Sequence, residues 1–221
     1  MELAGIGGGA GRIVVRARAA GDPHDHGLLI AAVAAFAGAA ESGVELETRC
    51  LWCGGAHGKP EVVRPLLPSG ARIHASLSRS AGATGIEAVA LSALGPIGLD
   101  VESVDRVRAA GFDDVALCAE ERAEIDGLPD EDRGRARAVV WTRKEAVLKA
   151  TGHGLRVDPR SLRVTVPHGG GGGGGEETPR LREWRAPGIR APRLRLIDLG
   201  ELDGIGVLPA GYVGTVALIE P

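Results

Sequence analysis

The longest regular segment of the sequence constrains its fold most strongly. Residues 131–151 predict a long helix, which ends at Gly152. One face of this helix carries the small apolar residues that we expect to pack in the core: Ala136, Val139, Val140, Ala146, Val147 and Ala150. Trp141, Glu145 and Lys149 are spaced by four residues and share roughly the opposite side. A solvated Glu–Lys pair is the ordinary interpretation, but a tryptophan in the same row favours the wall of a cleft.

Short apolar or alternating segments on both sides of this helix predict strands. We expect strands over residues 12–19, 71–78, 86–94, 97–104, 161–166, 180–186, 193–199 and 212–219. We expect further helices over residues 26–40, 112–117 and 119–125. Residues 45–60 are interpreted as a glycine-containing loop, and the glycine run 169–175 as a flexible connector.

The order of these elements predicts the fold class. Each half of the chain is interpreted as strand, helices, strand, strand, and the halves meet at Gly95 and Pro96. We therefore predict an α+β fold with a pseudo-two-fold duplication. Residues 1–96 would form the N-terminal half and residues 97–221 the C-terminal half.

The composition excludes several classes of protein. A net charge of −3 argues against a general nucleic-acid binder. The sequence has no apolar run long enough to span a membrane, and residues 1–10 lack the apolar segment of a secretory signal. Three cysteines are too few, and odd in number, for a disulfide framework, so we expect a reducing, cytoplasmic compartment.

Lysine is unusually scarce in this chain. Of 26 basic residues only Lys59, Lys144 and Lys149 are lysines, and the other 23 are arginines. These lysines are either remnants of a compositional bias towards arginine or positions where a compact ammonium is needed, since a planar guanidinium cannot replace it everywhere.

Two acidic residues are spaced to project from the same face of a strand. Asp100 and Glu102 alternate with Leu99 and Val101, so both carboxylates point to one side. Neighbouring carboxylates repel each other unless a positive charge lies between them, most simply a divalent metal ion. A strand end with a solvated acidic face is the alternative.

Two further segments carry groups that suit phosphate. Lys59 lies between a glycine and a proline in the segment 57–60, which is otherwise an ordinary surface turn. Ser78 and Arg79 follow an alternating apolar strand, and they are either phosphate contacts or a plain exit from that strand.

Cys50, Cys53 and His57 have the spacing C-x₂-C-x₃-H. This spacing provides three potential zinc ligands, but no fourth is evident. Buried thiols without metal are the alternative.

Taken together and in this order, the segments resemble the 4'-phosphopantetheinyl transferases of the surfactin-synthetase-activating type. The resemblance runs from about residue 57 to residue 155, through GLDVE and WTRKEAVLKATGHGL, and residues 209–217 resemble the last strand of that family. It implies a pseudo-dimer of two α+β halves in one chain, and therefore a monomer. It also implies transfer of 4'-phosphopantetheine from coenzyme A to a serine of an apo acyl or peptidyl carrier protein, with Mg²⁺, releasing 3',5'-ADP.

The resemblance also implies roles for individual residues. It assigns the Mg²⁺ to Asp100, Glu102 and Glu145. Lys149 would bind the phosphate where negative charge builds up, and Lys144 would orient the nucleophile or contact phosphate at the same site. Either Glu145 or a metal-bound hydroxide would take the serine proton.

For coenzyme A, the resemblance implies contacts from Lys59, Ser78, Arg79 and Lys149, with arginine at position 79 where the family has histidine. The predicted helix 26–40 lacks the basic residues that relatives use for the 3'-phosphate. Arg12, Arg16, Arg18 and Arg49 are the alternatives for those contacts, and the spacing does not choose between them.

The segment 103–117 resembles the region that docks the carrier protein, with Arg106, Arg108 and an exposed Phe112, and an ordinary amphipathic helix is the alternative. Fatty-acid, polyketide and nonribosomal-peptide carriers all remain open. Two other functions compete with transfer, namely a non-catalytic homologue that binds carrier proteins and a Mg²⁺-dependent phosphohydrolase.

Overall fold

The computed structural model describes residues 4–6, 13–22, 25–50, 53–56, 58–80, 85–167, 178–199 and 208–220. Within them the strands are β1 (Ala4–Ile6), β2 (Ile13–Ala19), β3 (Glu45–Thr48), β4 (Pro60–Arg64), β5 (His74–Ser80), β6 (Ile86–Ser92), β7 (Ile97–Ser103), β8 (Leu162–Val164), β9 (Leu181–Trp184), β10 (Leu194–Asp198) and β11 (Tyr212–Ile219). The α-helices are α1 (Gly27–Ala37), α2 (Val104–Ala110), α3 (Asp113–Ala116), α4 (Ala119–Asp126) and α5 (Asp130–Thr151). The predicted mixed α+β architecture is confirmed.

Two antiparallel sheets form the framework. The first has the strand order β1-β2-β6-β5, and the second has the order β10-β11-β7. The sequence of β6 is apolar over most of its length, and every residue of that strand is buried, as expected for a central strand. Strands β5 and β7 are each the last strand of their sheet, and they lie beside each other.

The predicted loop over residues 45–60 is wrong in part. Strand β3 pairs antiparallel with β4, so both ends of that segment belong to a two-stranded ribbon. Leu46 and Val62 are cross-strand partners, and both pack in the apolar cluster beneath α1. This burial outweighs the glycine content of the segment, and glycines such as Gly54 lie in the connection between the strands.

The two sheets share an apolar core. Ile13 and Val15 of β2 and Ala88 of β6 pack with Leu99 of β7 and Val216 of β11. A second cluster lies on the other face of the first sheet, against α1, and a third lies around α5. Burial of these faces is the main source of stability for both sheets.

Helix α5 crosses β7 at Gly98. A Cβ atom at this position would overlap the carbonyl oxygen of Ala146 and lie 2.5 Å from the amide nitrogen of Ala150. Only glycine permits this close approach, because any other residue would force helix and strand apart. The predicted core face of the helix is confirmed, since its small apolar residues are buried against the sheet and the neighbouring helices.

The internal duplication stays a prediction, as does the division at residues 96 and 97. Within the described residues, the C-terminal half has four α-helices, whereas the N-terminal half has one. The glycine run 169–175 lies outside the described residues. None of the helices described is both long enough and apolar enough to cross a membrane.

We predict that Gly98→Ala destabilises the protein by about 3 kcal/mol or more, the upper end of what an overpacked core costs. The added methyl group would meet backbone atoms of α5, which cannot rotate away as a side chain can. The measurement is urea unfolding.

The control for this variant is Gly43→Ala, since a Cβ at Gly43 meets nothing within 4 Å. An equal unfolding midpoint for the two variants would contradict the close crossing of α5 over β7.

Candidate functional site

A cleft of about 950 Å³ lies where β5, β7 and the C-terminal part of α5 come together. Its floor includes Ser78, Asp100, Glu102, Glu145 and Lys149. Its walls include Trp141, Leu148, the segment 58–61 and the turn 152–156 that follows α5. Residues from both halves of the chain therefore line one cavity.

The side chains of β5 contact the backbone of β7 rather than pairing with it as a strand. The Oγ atoms of Ser76, Ser78 and Ser80 accept hydrogen bonds from three amides of β7. Ser78 also donates to Asp100 Oδ1 over 2.8 Å, and Ser80 donates to Glu102 Oε2 over 2.9 Å. Strand β5 thus fixes where the two predicted carboxylates lie.

Three carboxylates line the floor of the cleft. Asp100 is only 4% exposed, and Glu102 and Glu145 are half-buried. Burial raises the pKa of Glu145 to about 7, and the negative charges of Asp100 and Glu102 add to this effect. Burial and the charge of Asp100 also raise the pKa of Glu102, which the hydrogen bond from Ser80 counteracts.

Lys149 is the cation at this floor. Its Nζ lies 2.6 Å from Asp100 Oδ1 and donates to Ser78 Oγ over 3.2 Å. The predicted row of Trp141, Glu145 and Lys149 therefore lines a cleft and is not a solvated surface. One ammonium cannot neutralise three carboxylates, so the floor has an excess of negative charge.

The donor chemistry of this floor fits a hard divalent cation. Among the described residues, Asp100 Oδ2 and Glu145 Oε1 are buried and have no hydrogen-bond partner. An unpartnered buried carboxylate oxygen is costly, and a cation would satisfy it. In the same part of the chain no three His, Cys, Asp or Glu side chains are already arranged around one point as metal ligands.

Lys59 lies at the edge of the cleft and reaches across to the C-terminal half. Its Nζ donates to the carbonyl oxygen of Ile97 at the start of β7 and to that of Lys149 near the end of α5. Burial is the main reason that the pKa of Lys59 is lowered to about 8; the charge of Glu61 opposes this shift, and the charge of Lys149 contributes to it. Two of the three ammonium protons are therefore directed to the backbone.

Arg79 lines the same cleft but has an acidic partner. Its Nη2 lies 2.6 Å from Glu87 Oε1 and also donates to the carbonyl oxygen of Asp25. Glu87 is 1% exposed and is bonded on its other oxygen by Arg18 Nε over 2.8 Å. The guanidinium of Arg79 is therefore held in place by a buried ion pair at the rim of the cleft.

The predicted placement of Lys144 at the phosphate site is wrong. Lys144 is fully buried on the other side of α5, where its Nζ lies 2.5 Å from Glu121 Oε2. The same ammonium donates to the carbonyl oxygens of Ala116 and Pro159, which uses all three of its protons. The ammonium of Lys144 is therefore held in the core, and Lys144 does not line the cleft.

Glu121 is the partner that sequence reasoning missed. Its Oε1 accepts from the amide of Val164, and its Oε2 accepts from the amide of Cys118 in addition to the ammonium of Lys144. Glu121 lies three residues after Cys118, the spacing of a capping box, and this was the available signal. The pair joins α4, α5 and β8 in the core of the C-terminal half.

The cleft also contains basic residues that the motifs did not single out as site residues. Arg49 and Arg156 are exposed, His26 and His153 are half-buried, and all four line the cleft. Scattered single residues of this kind carry no spacing signal.

The predicted docking segment differs from expectation at Phe112. Arg106 and Arg108 are exposed, but the Phe112 ring is half-buried and lies 5.0 Å from the ring of Trp141. Phe112 thus supports the tryptophan wall of the cleft.

The zinc hypothesis stays a prediction. Cys50 lines the cleft and is half-buried, and Cys53 is exposed. His57 lies outside the described residues.

Comparison with known families supports part of the sequence interpretation. The family model of the 4'-phosphopantetheinyl transferase superfamily matches residues 96–189. This segment is less than half of the chain, and it contains the three carboxylates and Lys149 but not Lys59 or the serines of β5. No curated protein matches the chain.

We predict that Lys144→Met lowers the free energy of unfolding by about 3–5 kcal/mol, because it leaves Glu121 charged and unpaired in the core. Urea unfolding measures this loss. Arg122→Met is the control, since the ion pair of Arg122 with Asp114 is exposed to solvent, which screens it, so its loss should change the unfolding midpoint little. Similar losses in the two variants would contradict the buried pair.

A second prediction concerns the metal-free protein and pH. Because the pKa of Glu145 rises from 4.5 in the unfolded chain to about 7 in the folded one, folding binds a proton and stability falls as the pH rises through this window. Glu145→Gln should therefore raise the free energy of unfolding at pH 8 by on the order of 2 kcal/mol, and by much less at pH 5.

Urea unfolding in EDTA at both pH values measures this effect, with the exposed Glu47→Gln as control. A gain for Glu145→Gln that is independent of pH would argue against a buried carboxylate with a raised pKa.

Proposed function

We propose that this protein is a phosphopantetheinyl transferase of the surfactin-synthetase-activating type. It transfers 4'-phosphopantetheine from coenzyme A to a serine of an apo acyl or peptidyl carrier protein. The observation that carries the proposal is the convergence of Asp100, Glu102, Glu145 and Lys149 at the floor of one cleft. All four lie in the segment that matches the superfamily model.

In the proposed reaction, the serine oxygen of the carrier forms a bond to the phosphorus that carries the pantetheine group. The bond from this phosphorus to the bridging oxygen breaks, and 3',5'-ADP leaves with that oxygen. Glu145, which lines the same floor, accepts the serine proton. Lys149, which already lies between Ser78 and Asp100, binds the phosphate oxygens where charge builds up.

Asp100, Glu102 and Glu145 would hold Mg²⁺ at this floor. When bound, Mg²⁺ neutralises the diphosphate and stabilises the leaving group. The two buried carboxylate oxygens that lack partners among the described residues support this assignment. In the protein without metal, the ammonium of Lys149 is the counter-charge of Asp100.

The coenzyme A contacts are proposed from the same cleft. Lys59, Ser78 and Arg79 line it. The ion pair with Glu87 fixes the position of the Arg79 guanidinium. Arg49 and Arg156 add exposed positive charge at the rim. The basic residues among them are candidates for the contacts to the 3'-phosphate that the predicted first helix lacks.

A single assay tests this function. The protein is mixed with coenzyme A, Mg²⁺ and apo carrier proteins of the fatty-acid, polyketide and nonribosomal-peptide classes, and mass spectrometry detects the phosphopantetheine adduct on the carrier. Glu102→Ala is the inactive comparison.

The other outcomes are equally informative. Carrier binding without an adduct would favour a non-catalytic binding protein, and breakdown of coenzyme A without an adduct would favour a Mg²⁺-dependent phosphohydrolase. Either outcome contradicts the transferase.

We predict that Lys149→Arg lowers the rate of transfer at least about tenfold, although the charge is kept. The ammonium contacts Asp100 Oδ1 and Ser78 Oγ together, and a planar guanidinium cannot make the same two contacts in the same space. The adduct assay measures the rate, and urea unfolding shows whether the variant is folded. A folded variant with the wild-type rate would remove Lys149 from the proposed site.

A further inference from the structure

Two sheet edges meet beside the cleft without forming a common sheet. Strand β5 ends the first sheet and β7 ends the second. The outer edge of a terminal strand leaves every second backbone amide without a partner, and buried amides of this kind need one. Strand β7 is buried over most of its length, so water is not a ready substitute.

Serine hydroxyls provide these partners. Ser76 Oγ accepts from the amide of Leu99 over 2.9 Å. Two residues further along both strands, Ser78 Oγ accepts from the amide of Val101 over 3.3 Å. After two more residues, Ser80 Oγ accepts from the amide of Ser103 over 3.1 Å. We call these three hydroxyl–amide contacts the serine seam.

The seam follows from the period of a strand. Alternate residues of β5 point to one face, and alternate amides of β7 point to one edge, so a serine at every second position matches every second amide. All three serines are at most 5% exposed. A buried serine without partners would be costly, so these bonds explain why polar residues occupy this face.

Two of the three serines make a second contact. Ser78 donates to Asp100 and Ser80 donates to Glu102. Within the described part of the chain, Ser76 makes no hydrogen bond to a carboxylate. Ser76 can therefore serve as a matched control for Ser80, because both serines lie on the same strand and bond to the same neighbouring strand.

Among the described residues, the hydroxyl proton of Ser80 has a single acceptor, Glu102. An amide can only donate, so Ser80 Oγ must accept from the amide of Ser103. The single hydroxyl proton is then directed to Glu102 Oε2. The backbone of β7 thus orients the hydroxyl, and the hydroxyl orients the carboxylate.

We infer that Ser80 is a positioning residue, which uses its place in the serine seam to hold the Glu102 carboxylate at the floor of the cleft. A strand of the N-terminal half thereby orients a group of the C-terminal half. The inference rests on the proposed function only for what Glu102 binds, because the contact itself exists without metal or substrate.

The test compares Ser80→Ala with Ser76→Ala. Both variants remove one seam bond to β7, but only Ser80→Ala also releases Glu102. Calorimetry with Mg²⁺ and the full-length protein should give an affinity about tenfold to a hundredfold weaker for Ser80→Ala, the usual effect of losing a group that orients a metal ligand. Ser76→Ala should stay within about twofold of the wild type.

A double-mutant cycle tests the contact without any metal. In urea unfolding, Ser80→Ala should change the unfolding constant about tenfold less in a Glu102→Ala background than in the wild type, because the charged hydrogen bond is then already absent. The same cycle with Ser76→Ala should show no such difference.

The outcomes separate the two proposals. If the wild type binds no Mg²⁺ but the Ser80 cycle shows coupling, the metal role of the carboxylates fails and the contact stands. If the wild type binds Mg²⁺ and Ser80→Ala behaves as Ser76→Ala in both measurements, the positioning role of Ser80 is overturned. This second result would leave the proposed function intact.

Discussion

The close crossing of α5 over β7 at Gly98 determines where the functional groups of this protein lie. Because position 98 has no side chain, the helix backbone at Ala146 and Ala150 rests directly against the strand. Asp100 follows on the strand and Lys149 on the helix, and their charged groups approach to 2.6 Å. A backbone contact in the core, rather than attraction between the charges, sets this spacing, since the core is close-packed and does not adjust freely.

The crossing brings together more negative charge than Lys149, the cation that contacts it among the described residues, can neutralise. Asp100, Glu102 and Glu145 share one ammonium, that of Lys149. The consequence is visible in Glu145, whose pKa of about 7 means that its carboxyl keeps a proton up to a much higher pH than usual. Holding these three carboxylates together without a bound cation lowers the free energy of unfolding. This loss of stability is typical of sites arranged for a charged ligand.

The sequence predicted the features that depend on local periodicity. Helix α5 and strand β11 lie where the apolar pattern and flanking glycines indicated, and Glu145 and Lys149 line a cleft as their spacing suggested. Features that depend on distant partners were missed. The β3–β4 ribbon is stabilised by packing against the apolar surface beneath α1, which local sequence does not reveal. The partner of Lys144 lies 23 residues earlier in the chain. Helical geometry alone could not have moved Lys144 away from the cleft, because the adjacent residues Leu148 and Lys149 both line it.

The scarcity of lysine acquires a physical meaning from these contacts. Lys59, Lys144 and Lys149 each direct an ammonium to at least two acceptors that come from different parts of the fold. In Lys144 the three acceptors take all three protons in a fully buried space, which a planar guanidinium with its fixed fork of donors could not match. Arginine, by contrast, makes most of the ion pairs with carboxylates, where its fork suits the planar acceptor. Two of the three lysines therefore lie at the cleft and one lies in the core. They share a way of bonding, in which one compact ammonium donates in several directions, and they do not share a site.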